Sequence, residues 1–69
     1  MTDSELLKKK IADSGLKQGY IAEKIGLTSY GFAKKLNNET EFKATEIQKL
    51  CEILRITSLK EKETIFFKS

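Results

Sequence analysis

The chain of 69 residues contains no histidine, no proline and only one cysteine, and each shortage excludes something. Without histidine, Cys51 cannot belong to a His/Cys metal site or to a Cys/His nucleophilic pair. A single cysteine cannot form an internal disulfide bond, which is typical of proteins from a reducing compartment. Without proline no sharp break divides the chain, and we expect one domain, 1–69.

Long apolar runs are also missing. No stretch approaches the roughly 20 apolar residues that cross a bilayer, and the first residues, MTDSELLKKK, lack the apolar segment of a signal peptide. We therefore expect a cytoplasmic protein that makes no membrane contact. A chain this short buries only about 60% of its unfolded surface, which leaves little room for a deep pocket.

Enzyme activity is not expected from this sequence. There is no histidine and no phosphate-binding loop, and no pair of carboxylates stands in an evident cleft. Nothing suggests a metal, a cofactor or a small-molecule ligand. The acids Asp13, Glu23, Glu39, Glu41, Glu46 and Glu52 are interpreted as surface groups.

Arginine is scarce, although the chain is basic. It has 13 basic and 10 acidic residues, a formal net charge of +3, and Arg55 is its only arginine. This charge permits binding to a polyanion but does not require it. Because arginine is the commonest side chain that reads guanine, its scarcity bears on any DNA target.

Helical periodicity runs through most of the chain and predicts an all-α protein of four to five helices. The predicted helices span residues 4–14, 17–25, 29–37 and 44–54, and Ser58 can cap a short turn of helix that runs to about Glu63. Ser4 is expected to cap the first helix and Thr28 the third. Gly15, Gly26 and Asn38 are expected at helix ends, where a left-handed conformation is common. The predicted inward residues are Leu7, Ile11, Tyr20, Ile21, Ala22, Ile25, Leu27, Phe32, Leu36, Phe42, Ile47, Leu50, Cys51, Leu54, Ile56 and Leu59.

The tail 57–69 leaves two interpretations open. Its apolar stretch Ile65-Phe66-Phe67 either folds over the base of the core or forms a contact between two copies of the chain. Gly31, inside the third predicted helix, is also ambiguous. It marks either the close approach of a backbone or a ligand, or simple tolerance of glycine.

Residues 17–37 are two short amphipathic helices joined by a turn that contains a glycine, the arrangement of a helix-turn-helix unit. This segment resembles the Cro/repressor type (Xre-like) of helix-turn-helix DNA-binding domain, in a phage-repressor-like subgroup. The matching residues are Gly15-Leu16-Lys17-Gln18, Ile21-Ala22-Glu23-Lys24-Ile25-Gly26-Leu27-Thr28, Phe32 and Lys35-Leu36-Asn37. Glu41-Phe42, Glu46-Ile47, Leu50-Cys51-Glu52-Ile53-Leu54 and Phe66-Phe67 extend the resemblance over about residues 6–67.

The resemblance implies a compact lambda-repressor-like fold and a sequence-specific regulator of transcription in a phage or bacterium. It also implies double-stranded operator DNA as the partner and a homodimer on a two-fold site. The third helix, about 28–37, would enter the major groove. The implied base contacts are Ser29, Tyr30 and Lys34. The implied contacts to the DNA backbone are Lys17, Gln18, Thr28, Lys35, Asn37, Asn38, Thr40 and Lys43.

The residues that would read bases depart from the family pattern. Ser29, Tyr30 and Gly31 stand where many relatives carry arginine or glutamine, which leaves the target sequence open. We expect readout to depend on thymine methyl groups and on DNA shape. A second function fits the same fold: a protein-interaction module, such as an antitoxin or an anti-regulator.

Overall fold

The computed structural model describes residues 1–68, and within this range it contains five α-helices and no β-strand. The helices are α1 (Ser4–Ser14), α2 (Gln18–Lys24), α3 (Ser29–Leu36), α4 (Ala44–Ile53) and α5 (Leu59–Phe66). The all-α prediction is confirmed, and the first four helices end within a residue or so of their predicted bounds. The fifth is longer than predicted, because it continues past Glu63. Ser69, the end of the predicted tail, lies outside the described residues.

The start of α1 differs from its prediction. Asp3, not Ser4, is the N-cap, and its carboxylate accepts the backbone N–H of Leu6 at 3.1 Å. Asp and Ser cap helices about equally well, but a carboxylate also complements the helix dipole. The other predicted caps are confirmed: Thr28 Oγ1 accepts from Gly31 at 3.0 Å, and the Ser58 hydroxyl caps α5.

Three helices end in the same motif, in which a left-handed residue follows the helix. The next N–H then bonds back to a carbonyl of the last turn: Leu27 to Ala22 (2.9 Å), Glu39 to Lys34 (2.9 Å) and Ile56 to Cys51 (2.8 Å). The left-handed residues are Gly26 after α2, Asn38 after α3 and Arg55 after α4. Gly15 ends α1 with φ 73°. The predictions for Gly15, Gly26 and Asn38 are confirmed, whereas Arg55 was not anticipated.

Every helix contributes to one hydrophobic core. The buried apolar residues are Leu7, Ile11, Ile21, Ala22, Ile25, Phe32, Leu36, Ile47, Leu50, Cys51, Leu54, Ile56, Ile65 and Phe66, with Leu6, Leu16, Leu27, Phe42 and Ile53 packed against them. Apolar side chains three and four residues apart recur on one side of a helix, which is why periodicity located most of this core.

Two predicted core residues are on the surface. Tyr20 is 48% exposed and Leu59 is 69% exposed, so both predictions are wrong. In α2 the buried side is already supplied by Ile21 and Ala22, and the ring of Tyr20 instead has the Lys24 ammonium 5.5 Å from its centroid. In α5 the buried residues come from the far end of the helix, so the first residue, Leu59, faces solvent.

The apolar stretch of the tail is partly buried in the core and partly exposed. Ile65 and Phe66 are buried, and Phe42 lies edge-on between Phe32 and Phe66, with centroids 6.0 Å apart in both pairs. Phe67 stays 57% exposed. The two ends of the chain also pair, because Asp3 N–H donates to the Ile65 carbonyl at 2.6 Å. Closure of the core therefore accounts for most of the tail, but not for Phe67.

Candidate nucleic-acid interface

The first turns of α2 and α3 lie side by side. A Cβ placed on Gly19 would lie 3.7 Å from the Ser29 hydroxyl oxygen, an ordinary contact distance. The chain turns between the two helices at Gly26, whose φ of 83° suits glycine. Gln18 is the first residue of α2 and the neighbour of Gly19, so it begins its helix close to the start of α3.

One face of α3 is buried and the opposite face is open. Phe32 and Leu36 lie in the core, whereas Tyr30 is 75% exposed. Lys34 follows Tyr30 by one helical turn, and its ammonium lies 5.6 Å from the centroid of the Tyr30 ring. An aromatic ring and a positive charge therefore stand together on the side of α3 that faces away from the core.

Gly31 is explained by the cap of its own helix. A Cβ at this position would lie 3.2 Å from Thr28 Oγ1, closer than side chains normally approach. The same Thr28 oxygen accepts the N–H of Gly31. The close neighbour is thus the capping side chain and not a second backbone, which answers part of the ambiguity left by the sequence.

Several predicted contact residues have exposed side chains that form no described hydrogen bond or ion pair. Among residues 1–68, no described hydrogen bond or ion pair involves the side chains of Lys17, Gln18, Ser29, Tyr30, Thr40 or Lys43. Lys34 is half-buried and interacts only with the Tyr30 ring in this part of the chain. Apart from the contact between Lys34 and the Tyr30 ring, these side chains can meet a ligand without first breaking a contact within the protein.

Other predicted contact residues are already engaged. Lys35 forms an ion pair with Glu46 at 3.0 Å, and its ammonium also donates to the Glu41 carbonyl at 2.9 Å. The Asn38 amide donates to the Thr2 carbonyl and to the Ser4 hydroxyl, both at 2.9 Å. These two residues, and Thr28 in its cap, hold the fold together.

Lys8 is a member of this surface that sequence analysis missed. Its ammonium donates to the Asn37 side-chain oxygen at 2.9 Å, so α1 places a positive charge at the end of α3. The two residues are 29 positions apart in the chain. Nothing in the local pattern of the lysine run 8–10 distinguishes Lys8 from its neighbours.

Glu46 is a second residue whose role was missed, and its interpretation as a surface acid is wrong. It is buried, and its carboxylate accepts the Lys43 backbone N–H at 2.8 Å beside the Lys35 ammonium. Burial raises the pKa of Glu46, but the hydrogen bond from Lys43 and the charge of Lys35 outweigh it, so the pKa lies below its ordinary value. A Glu at the third position of a helix is a capping signal that the sequence did contain.

The charge on α3 is positive. The helix has no acidic residue, and its two lysines, Lys34 and Lys35, lie in its last turn. Glu46 neutralises Lys35. The charge that remains available along this helix is therefore Lys34, with Lys17 and Lys43 exposed at the starts of α2 and α4.

Comparison of the chain with models of known families, with curated proteins and with solved structures finds no significant match. Within residues 1–68, no three His, Cys, Asp or Glu side chains come together as a metal site would need. None of the helices in that range has both the length and the apolar character to cross a membrane. The open face of α3 and its neighbours are the observations on which a function can be argued.

Proposed function

We propose that this protein binds double-stranded DNA sequence-specifically, as a transcriptional regulator with a lambda-repressor-like helix-turn-helix domain. The observation that carries the proposal is the pairing of Tyr30 and Lys34 on the open face of an acid-free helix. The major groove of DNA is wide enough to admit such a helix. In this arrangement α3 is the recognition helix, and α2 crosses the DNA backbone.

Base readout falls to Ser29, Tyr30 and Lys34. The Ser29 hydroxyl can donate to a base edge or accept from one, and the Tyr30 ring can contact a thymine methyl group. Lys34 can leave the Tyr30 ring to reach a guanine acceptor or a phosphate. Lys34 carries the only charge of the three, and a charge can be satisfied by a phosphate of any sequence. Sequence preference should therefore depend mainly on Tyr30.

The phosphate contacts are best assigned to side chains that are not used by the fold. Lys17 and Gln18 at the start of α2, and Thr40 and Lys43 after α3, are exposed and meet this condition. Asn37 does not meet it, because its side-chain oxygen accepts from Lys8, but this exposed pair can approach a phosphate together and Lys8 supplies the charge. We leave Thr28, Lys35 and Asn38 out of the proposed contact set, because binding DNA through them would cost contacts that hold the fold. Phosphate contacts fix register and affinity and do not by themselves select sequence.

Recognition of an operator by two copies remains part of the proposal, since one copy reads only a few base pairs. Phe67 is the residue of the tail that supports such a contact, because the core leaves it 57% exposed. The same exposed ring, with Met1 72% exposed, also favours the second candidate function, a module that binds another protein.

Binding-site selection from random duplex DNA, with the full chain, tests the proposal. We expect an enriched sequence that is not a strict run of G·C pairs. Affinity should fall steeply with salt, with a slope set by the number of phosphates neutralised. If no sequence is enriched and binding to a captured protein shows little salt dependence, the interaction module replaces DNA binding as the function.

Tyr30→Ala tests the assigned readout, and the protein supplies a matched control. Tyr20 is also an exposed tyrosine with a lysine over its ring, but it lies on α2, about 100° around the helix from Gly19, which adjoins Ser29. Tyr30→Ala should weaken the selected site by about 5- to 150-fold and relax its sequence. Tyr20→Ala should do neither, and equal effects of the two substitutions would reject the assignment.

A further inference from the structure

A cavity of about 510 Å³, broadly open to solvent, lies where α4 ends and α5 begins. Its volume falls within the range of roughly 300–1,000 Å³ that is usual for small-molecule sites. None of the residues proposed to contact DNA lines it. Ligand binding in the cavity and DNA binding can therefore be tested separately.

The lining of the cavity is mainly apolar, with charges of both signs. Cys51 and Ile56 are buried core residues that also line the cavity, and Leu59 stands 69% exposed beside them. Arg55 and Lys62 add two positive charges, and Glu52 adds one negative charge. The net charge of the lining is +1, which favours a ligand with one negative charge and an apolar part.

Arg55 occupies this place at a conformational cost. Its φ of 57° is in the left-handed region, which disfavours residues other than glycine and asparagine. The same helix-ending motif carries Gly26 after α2 and Asn38 after α3, the residue types that suit it. A strained backbone beside a cavity is the kind of outlier from which a function can be inferred, and the residue that bears it here is the only arginine of the chain.

We propose that this cavity binds a small amphipathic carboxylate. The apolar chain of the ligand lies against Cys51, Ile56 and Leu59, and its carboxylate pairs with Arg55 and Lys62. The planar guanidinium of arginine can hold both oxygens of a carboxylate, and lysine adds a second positive charge. A cationic ligand would meet two positive charges, and Glu52 disfavours a ligand with several negative charges.

Titration of the full chain with octanoate, followed by amide chemical shifts, tests the proposal. We expect saturable shifts confined to the residues that line the cavity. Octanol and octylammonium, which carry the same chain without the negative charge, should bind at least about tenfold more weakly.

Arg55→Gly is the decisive variant, because it removes the charge and also relieves the strain. Its melting temperature should be unchanged or up to about 5 °C higher, since the left-handed strain offsets the flexibility of glycine. Octanoate affinity should nevertheless fall at least about tenfold. Lys49→Gln removes the same charge from an exposed residue of α4 that does not line the cavity, and it should change affinity less than about twofold.

Three results would overturn the proposal. The first is octanol binding as tightly as octanoate, which would make the site merely apolar. The second is an unchanged octanoate affinity in Arg55→Gly. The third is a set of shifts spread over the whole protein, which would indicate detergent-like binding. If the protein binds its selected DNA but not octanoate, the cavity assignment fails and the proposed function stands. If it binds octanoate in the cavity but selects no DNA, the proposed function fails and the cavity assignment stands.

Discussion

Replacing Glu46 should destabilise the protein more than replacing any exposed acid. Its carboxylate joins two elements, because it accepts the Lys43 N–H at the start of α4 and pairs with Lys35 in α3. The side chains of the pair are 10% and 13% exposed, so water screens them little. Lys43 is the N-cap residue of α4, but its ammonium can only donate hydrogen bonds and so cannot cap the helix. The Glu46 carboxylate is therefore the side-chain group that caps α4.

The expected cost follows from these contacts. A hydrogen bond to a charged group contributes about 1.5–3 kcal/mol, and Glu46→Ala also leaves the Lys35 ammonium without its carboxylate. We expect Glu46→Ala to lower the free energy of unfolding by about 2–3 kcal/mol, or the melting temperature by about 10–20 °C. Glu46→Gln keeps an oxygen for the Lys43 N–H and loses only the charge, so it should cost about 1–2 kcal/mol.

The effect of Glu46→Gln should depend on pH with a definite sign. The folded-state pKa of Glu46 is lower than its ordinary value of 4.5. The stability that the charge contributes is therefore fully present above the unfolded-state value. It is lost as the pH falls through the lower folded-state value. The variant and the wild type should differ at pH 7, and the difference should shrink as the pH falls below 4.5 and through the lower folded-state pKa.

Urea denaturation followed by circular dichroism measures both effects. The Lys10–Glu61 pair serves as the control, because its atoms are as close, 2.8 Å, but its side chains are 32% and 37% exposed. Glu61→Gln should cost less than about 1 kcal/mol. The reasoning is refuted if Glu46→Ala and Glu61→Ala are equally destabilising, or if the Glu46→Gln difference is the same at pH 7 and pH 3.

The same denaturation assay checks two further predictions, one on the apolar tail and one on the end of α3. Phe66→Ala should cost about 3–5 kcal/mol, because the ring is buried against Phe42, whereas Phe67→Ala should change stability by less than about 0.5 kcal/mol. Similar losses from the two would contradict the division of the tail. Asn38→Ala should cost about 1–2 kcal/mol more than Asn38→Gly, since both lose the bonds to Thr2 and Ser4 but only alanine is strained at φ 62°. A glycine variant no more stable than the alanine variant would show that the strain is absent.

The helices and most of the core could be predicted because their signals are local. Ile47, Leu50, Cys51 and Leu54 repeat at helical spacing, and all four are buried as expected. In a short helix, the local pattern does not show which apolar residues face the core when there are more of them than the buried side can hold. That is why Tyr20 and Leu59, apolar enough to be buried, lie on the surface.

The candidate site was only partly open to prediction, for a related reason. The exposed face of α3 follows from the burial of Phe32 and Leu36, so the positions of Tyr30 and Lys34 could be inferred. Whether a polar side chain is free or engaged depends on residues far away in the chain. Lys35 could not be separated from Lys34 by sequence, yet one is paired with Glu46 and the other is not.

Local sequence pattern is enough to predict that the chain forms helices, where four of them lie and which residues fill most of the core. Those features depend on neighbours three or four positions away. The tertiary structure was needed to show that Lys8 reaches Asn37, that Asn38 holds Thr2, and that Arg55 and Lys62 line the same cavity. Each of these depends on helices packing against one another, because packing alone fixes the distances between groups that are remote in sequence.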